Sequence, residues 1–488
     1  MTPKMGTMDV FLILGLTFLS FLFHLWSIQH PQNVIFDEVY FGGFTNSYIH
    51  KEFYYDIHPP LGKIIMYLVA YISEYPGHIS FEGDYGKPYL DEWYVTLRIT
   101  PAFFSSLCTP LIYLVVRFSG FSLYASLAAS GLVCFETSML TEHRFILSDG
   151  MLHFFSALHL CILSYGMSLD RDDFYFKFFM ILSGITLGAA SSCKNTAWGL
   201  IPLTAIVHAF DLYQHFKSFS YDYIYELIIR GLMFGIPTIS VYIFSFCAHF
   251  ALLPYIGPAR NYLNDDMKSQ FIFVEEKNLS LWGKRVHGKG LVYRSIALTI
   301  RMHKGNMGIT QWHPYQSRPI GWPLLTDIYV GFWKLDKMQI ICIGNAFSYY
   351  LGFLGIIGIP FGFRKSNWYK SILFTIGWCF SYFPFFLIPR TMYLYHYHIP
   401  LMIACCSYGV FIDLFMPDYL KGFSSSMACF LAFVGFILWS SFCFGGVSWD
   451  QSVIFWNDNW KNGDSYHRML QRGGAPETHK GQGVQIVE

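Results

Sequence analysis

Apolar runs long enough to cross a lipid bilayer recur along the whole chain, separated by short polar links. A helix needs about 20 apolar residues to span the hydrocarbon core, and such runs predict about eleven spans. The predicted spans lie near residues 8–26, 97–116, 121–140, 145–167, 174–193, 195–211, 229–251, 338–361, 371–389, 393–414 and 426–446. The half-apolar piece Leu61–Ser73 is too short to span, and we expect a helix lying in the membrane interface there. The pattern therefore predicts an all-α polytopic membrane protein.

Composition supports the membrane class. Of 488 residues, 53% are hydrophobic and only 13% are charged, whereas a soluble domain carries about 25% charged residues. The net charge of +1 gives no support for a nucleic-acid partner. The eleven cysteines lie in or beside apolar runs without paired spacing, so we expect them to pack in the core rather than form disulfides. The first run, Val10–Trp26, lacks a cleavage site and is interpreted as a retained span.

Charge in the links predicts the topology. The short links are basic or mixed, and the positive-inside rule assigns them to the cytosol. Two large loops, at 27–96 and 252–337, then face the lumen, together with a flexible polar tail at 457–488. An odd number of spans places the two chain ends on opposite sides. The sequon Asn278-Leu279-Ser280 falls in the second large loop and is a candidate glycosylation site.

The segment Phe36–Lys63 carries the strongest candidate chemistry. Adjacent carboxylates, Asp37 and Glu38, follow the first span among aromatic residues, and His58-Pro59-Pro60 closes the segment. Such a pair can hold a cation, cap a helix or serve as a general base. Because aromatic neighbours partly desolvate a carboxylate, they can raise its pKa into the range of a useful base.

This segment resembles the protein O-mannosyltransferase family, membrane enzymes that move mannose from dolichyl phosphate mannose to Ser or Thr. The resemblance rests on the order Asp37-Glu38, Phe41-Gly42-Gly43-Phe44, Tyr48-Ile49, Asp56 and His58-Pro59-Pro60-Leu61-Gly62-Lys63. Further segments similar to the family cover most of the chain: Tyr94–Leu107 with Arg98, Thr141–Phe155, Gly188–Leu200 with Lys194, Ile309–Leu325, Gly344–Tyr350 and Tyr382–Pro400.

The resemblance implies a GT-C type glycosyltransferase fold over residues 1–456. It further implies an inverting transfer of mannose to Ser/Thr hydroxyls of secretory-pathway proteins, in the endoplasmic reticulum membrane with a luminal site. It implies a homo- or heterodimer with a family member, and no cofactor besides the lipid donor. Some relatives insert a β-trefoil module of MIR repeats into the large loop. We expect none at 252–337, because a domain of about 200 residues does not fit there.

The resemblance also assigns site roles. Asp37 is expected to be the base, with Glu38 orienting an Arg or the acceptor backbone, although Glu38 as the base stays open. One carboxylate suffices, because an ionised phosphate leaves without protonation. Arg98, Lys194 and Arg390 are expected to clamp the donor phosphate, with His396 as an additional donor.

The remaining polar residues are expected to be structural or to support the site. These residues are His58, Glu142, Arg144, Asp149, His313 and Asn345. Asn345 falls inside a predicted span and needs a hydrogen-bond partner there. No metal-ligand spacing such as H-E-x-x-H occurs in the sequence, so we expect no obligatory metal.

Three alternatives stay open at this stage. One is a polyprenyl-phosphate-sugar transferase with a non-protein acceptor, and another is a silent partner subunit of an O-mannosyltransferase dimer. The third is a transporter, since Asp149, Lys194 and Asn345 could mark a solute path within the membrane. The absence of an obvious internal repeat argues against the transporter.

Overall fold

The structure is a computed structural model that describes residues 5–81, 83, 85–257, 290–446, 454–455 and 458–461. The first half contains α1 (Thr7–Leu25), α2 (Glu38–His50), α3 (Leu61–Ile72), α4 (Trp93–Ser106), α5 (Cys108–Phe118), α6 (Leu123–Cys134), α7 (Thr137–His143), α8 (Asp149–Gly166), α9 (Phe174–Cys193), α10 (Leu200–Phe216) and α11 (Tyr221–Leu252). The second half contains α12 (Leu291–Met307), β1 (Val330–Leu335), β2 (Met338–Cys342), α13 (Ala346–Gly358), α14 (Trp368–Tyr382), α15 (His398–Phe415), α16 (Asp418–Phe444) and α17 (Asp458–Lys461). The fold is therefore mostly helical, as predicted.

Within the described residues, seven helical segments are long and apolar enough to cross a membrane, or eight if α6 and α7 form one broken span. The seven are Thr7–Leu25, Trp93–Phe118, Phe174–Cys193, Tyr221–Leu252, Trp368–Leu387, Leu394–Phe415 and Asp418–Phe444. Each coincides with a predicted span. The predicted count of eleven is not confirmed, because the helices at predicted spans 145–167, 195–211 and 338–361 are too short or too polar to count as membrane spans.

The break between α6 and α7 bends the chain by 56°. Glu136 occupies it, and its carboxylate accepts hydrogen bonds from the backbone N–H of Ser138 at 3.1 Å and of Met139 at 2.6 Å. It also accepts the backbone N–H of Asn345 at 2.9 Å, at the start of α13. A buried carboxylate thus satisfies helix-terminal donors where lipid offers no water.

A β-hairpin replaces the start of one predicted span. The sequence analysis predicted a helix over 338–361, but Met338–Cys342 pairs antiparallel with Val330–Leu335 around a turn at Asp336 and Lys337. The helix begins only at Ala346. A run rich in Ile and aromatic residues suits a strand as well as a helix, and the partner strand upstream decides between them.

The first large loop is folded onto the membrane helices. Its short helix α3 occurs where an interfacial helix was predicted, and it contacts α4, α8 and α9. Gly62 allows this approach, because a Cβ at that position would lie 2.9 Å from Cβ of Ser148. The loop that precedes α3 therefore lies next to the N-terminus of α8, which begins at Asp149.

Two predictions fall largely outside the described residues. The candidate glycosylation site Asn278 lies outside them, and so does most of the predicted tail at 457–488. In the described part of the second large loop, α12 leads to the hairpin. The short helix Asp458–Lys461 belongs to the tail, and Trp460 there is buried and donates to the carbonyl of Asp327 at 3.2 Å.

Candidate active site

Asp37 precedes α2 at the point where the chain turns sharply. Phe36 has a positive φ of 44°, an uncommon conformation for an aromatic residue, and its ring stacks on Phe332 of the hairpin at 3.9 Å. Although Asp37 occupies the N-cap position of α2, its side chain makes no capping hydrogen bond. In the part of the chain that the structure describes, the Asp37 carboxylate has no hydrogen bond or ion pair. This leaves its lone pairs available to a substrate.

The surroundings of Asp37 make it a stronger base. Burial raises the pKa of its carboxyl to about 6, against the opposing effect of Lys194. Asp149 and Asp56 raise the pKa further, and Arg390 lowers it. Asp37 is therefore mostly ionised at pH 7 yet holds a proton more readily than an exposed aspartate, which suits a general base.

Glu38 has the opposite environment. Its side chain is fully buried, and its two oxygens accept five hydrogen bonds. Arg98 contributes two of them, from Nε at 2.7 Å and from Nη2 at 2.9 Å. The others come from the backbone N–H of Ile35 and Ile146 at 3.1 Å and from the Tyr89 hydroxyl at 3.0 Å. Glu38 therefore holds Arg98 in place, and its saturated oxygens argue against the alternative that Glu38 is the base.

Arg98 differs from the prediction. Besides Glu38, its guanidinium donates to the carbonyls of Pro31 at 2.7 Å, Asn33 at 3.0 Å and Ile28 at 3.4 Å. All five N–H donors of the arginine are thus engaged inside the protein, and its side chain is fully buried. With no donor left for a phosphate, Arg98 does not fit the predicted clamp. We interpret it instead as the residue that ties the chain before Asp37 to α4.

Lys194 remains a candidate for the clamp. It lies at the C-terminus of α9, and its Nζ donates to Asp149 at 2.8 Å. The same nitrogen lies 5.1 Å from the centre of the Tyr395 ring, a cation–π distance. A lysine has three donors, so Lys194 can bind an anion while it stays paired with Asp149. Its effect on the pKa of Asp37 indicates that the two side chains are close.

Arg390 is the second candidate cation. Its Nη1 donates to the Asn306 side chain at the end of α12, and its Nε donates to the carbonyl of Thr391 at 3.1 Å. Within the described residues, its Nη2 has no hydrogen-bond partner, and the side chain is half-buried. The charge of Arg390 also lowers the pKa of Asp37, so it acts electrostatically on that carboxylate.

Two histidines border this group. The ring of His396 stacks on Trp322 at 6.2 Å, and its Nδ1 bonds to the backbone of Tyr393. The Nδ1 of His58 is buried without a hydrogen-bond partner. Burial, followed by the charge of Lys194, lowers the pKa of His58 well below its ordinary value, so its imidazole is neutral. A neutral ring with an unpartnered nitrogen can bond to a substrate oxygen or phosphate.

The loop that carries His58 is held by a pair that the sequence analysis did not assign. Lys63, buried on α3, donates to the Asp56 carboxylate and to the carbonyl of His58 at 2.8 Å. Lys63 therefore fixes the loop between Asp56 and α3 at two points, Asp56 and His58. The motif contained Asp56 and Lys63, but their spacing alone did not indicate that they bond to each other.

The other predicted supporting residues are structural or peripheral. Arg144 donates to the carbonyls of Phe23, His24 and Ser27 at the end of α1. Asn345 caps α13 and donates to two carbonyls, so the partners it was predicted to need are present. His313 accepts the backbone N–H of Tyr315 at 3.2 Å.

One group of possible metal ligands was missed. Glu142, His153 and His398 are buried, and their ligand atoms lie within 4.8 Å of one another. His398 Nδ1 lies 2.7 Å from the Glu142 carboxylate. The available signal was the presence of His and Glu inside apolar runs, but it did not reveal that these three residues meet.

Two family models match the sequence. The model "Dolichyl-phosphate-mannose-protein mannosyltransferase" matches residues 14–254 and thus includes Asp37, Glu38, Arg98 and Lys194. The model "C-terminal four TMM region of protein-O-mannosyltransferase" matches residues 292–462. The chain belongs to the protein O-mannosyltransferase family. The resemblance seen in the sequence motifs is therefore confirmed.

Individual proteins similar to this chain carry the names of the same family. Dolichyl-phosphate-mannose–protein mannosyltransferase 3 of Saccharomyces cerevisiae is 34% identical over 248 residues, which covers 50% of this chain and 33% of the relative. Protein O-mannosyl-transferase 2 of Danio rerio is 28% identical over 313 residues, covering 63% of this chain and 40% of the relative. The alignments thus include less than half the length of these relatives.

Solved structures show the same fold. The S. cerevisiae protein O-mannosyltransferase Pmt1-Pmt2 complex bound to the sugar donor matches with a TM-score of 0.82 and 17% identity, covering 99% of this chain and 96% of that chain. An Archaeoglobus fulgidus oligosaccharyltransferase matches with a TM-score of 0.54 and 12% identity, covering 98% of this chain and 62% of that chain. The predicted GT-C type membrane fold is confirmed, and this member of the family is a multi-pass membrane protein.

Proposed function

We propose that the chain transfers mannose from dolichyl phosphate mannose to Ser or Thr hydroxyls of proteins, with Asp37 as the general base. The observation that carries this proposal is the Asp37 carboxylate, which has no partner in the described chain, has a pKa of about 6 and lies near Lys194 and Arg390. The names of the relatives, dolichyl-phosphate-mannose–protein mannosyltransferases, support the donor and the acceptor class.

The proposed reaction is a single inverting displacement. The acceptor hydroxyl gives its proton to the Asp37 carboxylate while its oxygen attacks the anomeric carbon. The bond between that carbon and the phosphate oxygen breaks, and dolichyl phosphate leaves. The donor phosphate carries one negative charge and the departing monoester gains a second, so nearby cations stabilise the transition state more than the ground state.

In this proposal Lys194 and Arg390 bind the phosphate, with His396 and His58 at the edge of the same site. Both cations lie at boundaries of apolar helices, α9 and the Trp368–Leu387 segment. A lipid tail can approach only from the bilayer, so cations that serve a lipid phosphate belong at such boundaries. Arg98 has no place in the clamp, because Glu38 and backbone carbonyls use its donors.

We further propose that the protein acts in the endoplasmic reticulum membrane with its site on the luminal side. Assembly with a second family member is also proposed, since the similar yeast structure is a Pmt1-Pmt2 complex. No cofactor other than the lipid donor enters the reaction as we propose it.

A transfer assay with the purified chain tests the proposal. The purified protein is incubated with dolichyl phosphate [3H]mannose and a Ser/Thr peptide, and labelled peptide is expected with the anomeric configuration opposite to that of the donor. A peptide with Ala at every Ser and Thr position is the acceptor control. Transfer only to lipid or glycan acceptors would favour the alternative polyprenyl-phosphate-sugar transferase. Activity that needs an added family member and survives Asp37→Asn would favour a silent subunit.

A further inference from the structure

A buried group of two histidines and a glutamate is linked to Lys194 of the proposed donor site through Asp149. Glu142 lies on α7, His153 on α8 and His398 at the start of α15, and at most 1% of each residue is exposed. The ligand atoms of the three lie within 4.8 Å of one another. They come from three helices, so only the folded protein brings them together.

The histidines of this group are oriented by further hydrogen bonds. His398 places Nδ1 2.7 Å from the Glu142 carboxylate and Nε2 2.9 Å from the Ser138 hydroxyl. His153 bonds through Nδ1 to Nε2 of His143 at 2.6 Å, which leaves its own Nε2 without a partner in the described chain. Histidines that bind metals are commonly oriented in this way through their other ring nitrogen.

Hydrogen bonds between imidazole rings continue from His153 through His143 to His24. His143 Nδ1 lies 3.4 Å from Nε2 of His24, and His24 Nδ1 lies 2.8 Å from the carbonyl of Ser20. The tautomers of this row of histidines are therefore linked, and the row ends on a backbone acceptor. The row therefore determines which ring nitrogen of His153 carries the proton, and so which nitrogen can bind a metal beside Glu142 and His398.

The charges around Glu142 also favour a bound cation. The nearest cation, Lys194, is bonded to Asp149, and Asp149 lies beside Glu142. Two buried carboxylates thus share one lysine, and Asp37 adds a further negative charge that acts on Glu142. A buried carboxylate needs a proton or a cation nearby to offset its desolvation.

We propose that Glu142, His153 and His398 form a structural divalent-metal site, with zinc as the metal that its donors suit best. Two neutral imidazoles and a carboxylate are a common zinc ligand set. Zinc–ligand distances of about 2.1 Å separate tetrahedral ligands by ~3.4 Å. The Glu142 carboxylate and Nδ1 of His398, now 2.7 Å apart, would have to separate by about 0.7 Å, and no two ligand atoms of the group are more than 4.8 Å apart. Small side-chain rotations therefore suffice.

A metal bound there would hold α7, α8 and α15 together next to Asp149, the first residue of α8. Asp149 pairs with Lys194, so the metal would also hold the region that positions this lysine. The inference itself does not depend on the proposed reaction. The sequence analysis expected no obligatory metal, because no metal-ligand spacing such as H-E-x-x-H occurs. These three ligands form no such spacing.

Metal analysis of the purified chain tests the site. The protein is expressed without a histidine tag, purified in detergent and measured by inductively coupled plasma mass spectrometry. We expect close to one zinc per chain, removal by dipicolinate, and rebinding with half-saturation below about 1 µM free zinc. Added Co²⁺ is expected to produce the strong visible absorption of a tetrahedral site. A wild-type chain that carries no zinc and binds neither added metal would overturn the proposal.

Variants identify the ligands. His153→Gln and Glu142→Gln are expected to lose the bound zinc and the Co²⁺ absorption. The matched control is His159→Gln, because His159 is a buried histidine of the same helix that bonds instead to Ser183 and Thr204. Equal zinc in all three variants would overturn the assignment. If the ligand variants do not fold, the removal and rebinding of metal by the wild-type chain still decides the question.

Discussion

Asp37 and Glu38 are neighbours in the sequence but have opposite environments. Glu38 is fully buried and accepts five hydrogen bonds, two of them from Arg98. The Asp37 carboxylate accepts none from the described chain, and its pKa is raised to about 6. A carboxylate whose oxygens all accept hydrogen bonds can stabilise the fold. It takes up a proton only if one of those hydrogen bonds is lost. Glu38 is therefore the structural member of the pair, and Asp37 is the member available for chemistry.

The cations divide in the same way. Arg98 has all of its donors bonded inside the protein, whereas Lys194 keeps donors free beside Asp149, and Arg390 keeps Nη2 free among the described residues. All three are cations close to apolar segments in the sequence, and only their partners distinguish them. The division predicts that Asp37, Lys194 and Arg390 affect turnover, while Glu38 and Arg98 affect stability.

The largest effect is expected at Asp37. Asp37→Asn removes the base without changing the shape of the side chain, so transfer should fall by about 10² to 10⁴. Thermal unfolding of the variant should resemble that of the wild type, because the Asp37 side chain makes no hydrogen bond in the described structure. Glu38→Gln is the matched variant, and it should lower the melting temperature clearly. Near-normal turnover of Asp37→Asn would contradict the assignment.

The next largest effect is expected at Arg98. Arg98→Ala leaves the buried Glu38 charge without its partner, and losing one member of a buried pair costs about 3–5 kcal/mol. Arg98→Lys keeps the charge but not the paired donors, so it should destabilise less. The measurement is thermal unfolding in detergent. If Arg98→Ala is stable and instead raises the apparent constant for the donor, the original clamp prediction would be restored.

A smaller effect is expected at the proposed phosphate cations. A hydrogen bond to a charged group contributes roughly 1.5–3 kcal/mol, so Lys194→Met or Arg390→Met should weaken donor use about tenfold or more. The donor is titrated at saturating peptide, and then the peptide is titrated at saturating donor. Lys177→Met, at an exposed lysine near the opposite end of α9, is the control for lost charge. A change confined to the peptide constant would place the two cations at the acceptor.

The smallest effect concerns pH. Because burial raises the pKa of Asp37 to about 6, protonation should inactivate the base as the pH falls. The rate at saturating substrates should be half-maximal near pH 6 and about tenfold lower at pH 5 than at pH 7. An aspartate at its ordinary pKa would keep nearly full activity at pH 5. A half-maximal rate near pH 4 would therefore show that Asp37 is not desolvated in the working enzyme.

The amino-acid sequence alone was enough to predict the membrane class, the family and the approximate position of most spans. Transfer into lipid depends on the apolar content of a segment about 20 residues long, which is a local property. The predicted span at 174–193 coincides with α9, and the others that qualify in the structure lie within several residues of their predictions. The motif from Asp37 to Lys63 likewise carried the family resemblance without any knowledge of the fold.

The tertiary structure decided which polar residues pair. Arg98 bonds to Glu38 across 60 residues and Lys194 to Asp149 across 45 residues, so spacing along the chain could not distinguish a structural cation from one near the proposed base. It also decided that residues 338–342 form a strand, because β1 supplies the partner. Glu142 and His398, 256 residues apart, meet for the same physical reason. A buried charge must find a partner, and only packing determines which distant residue provides it.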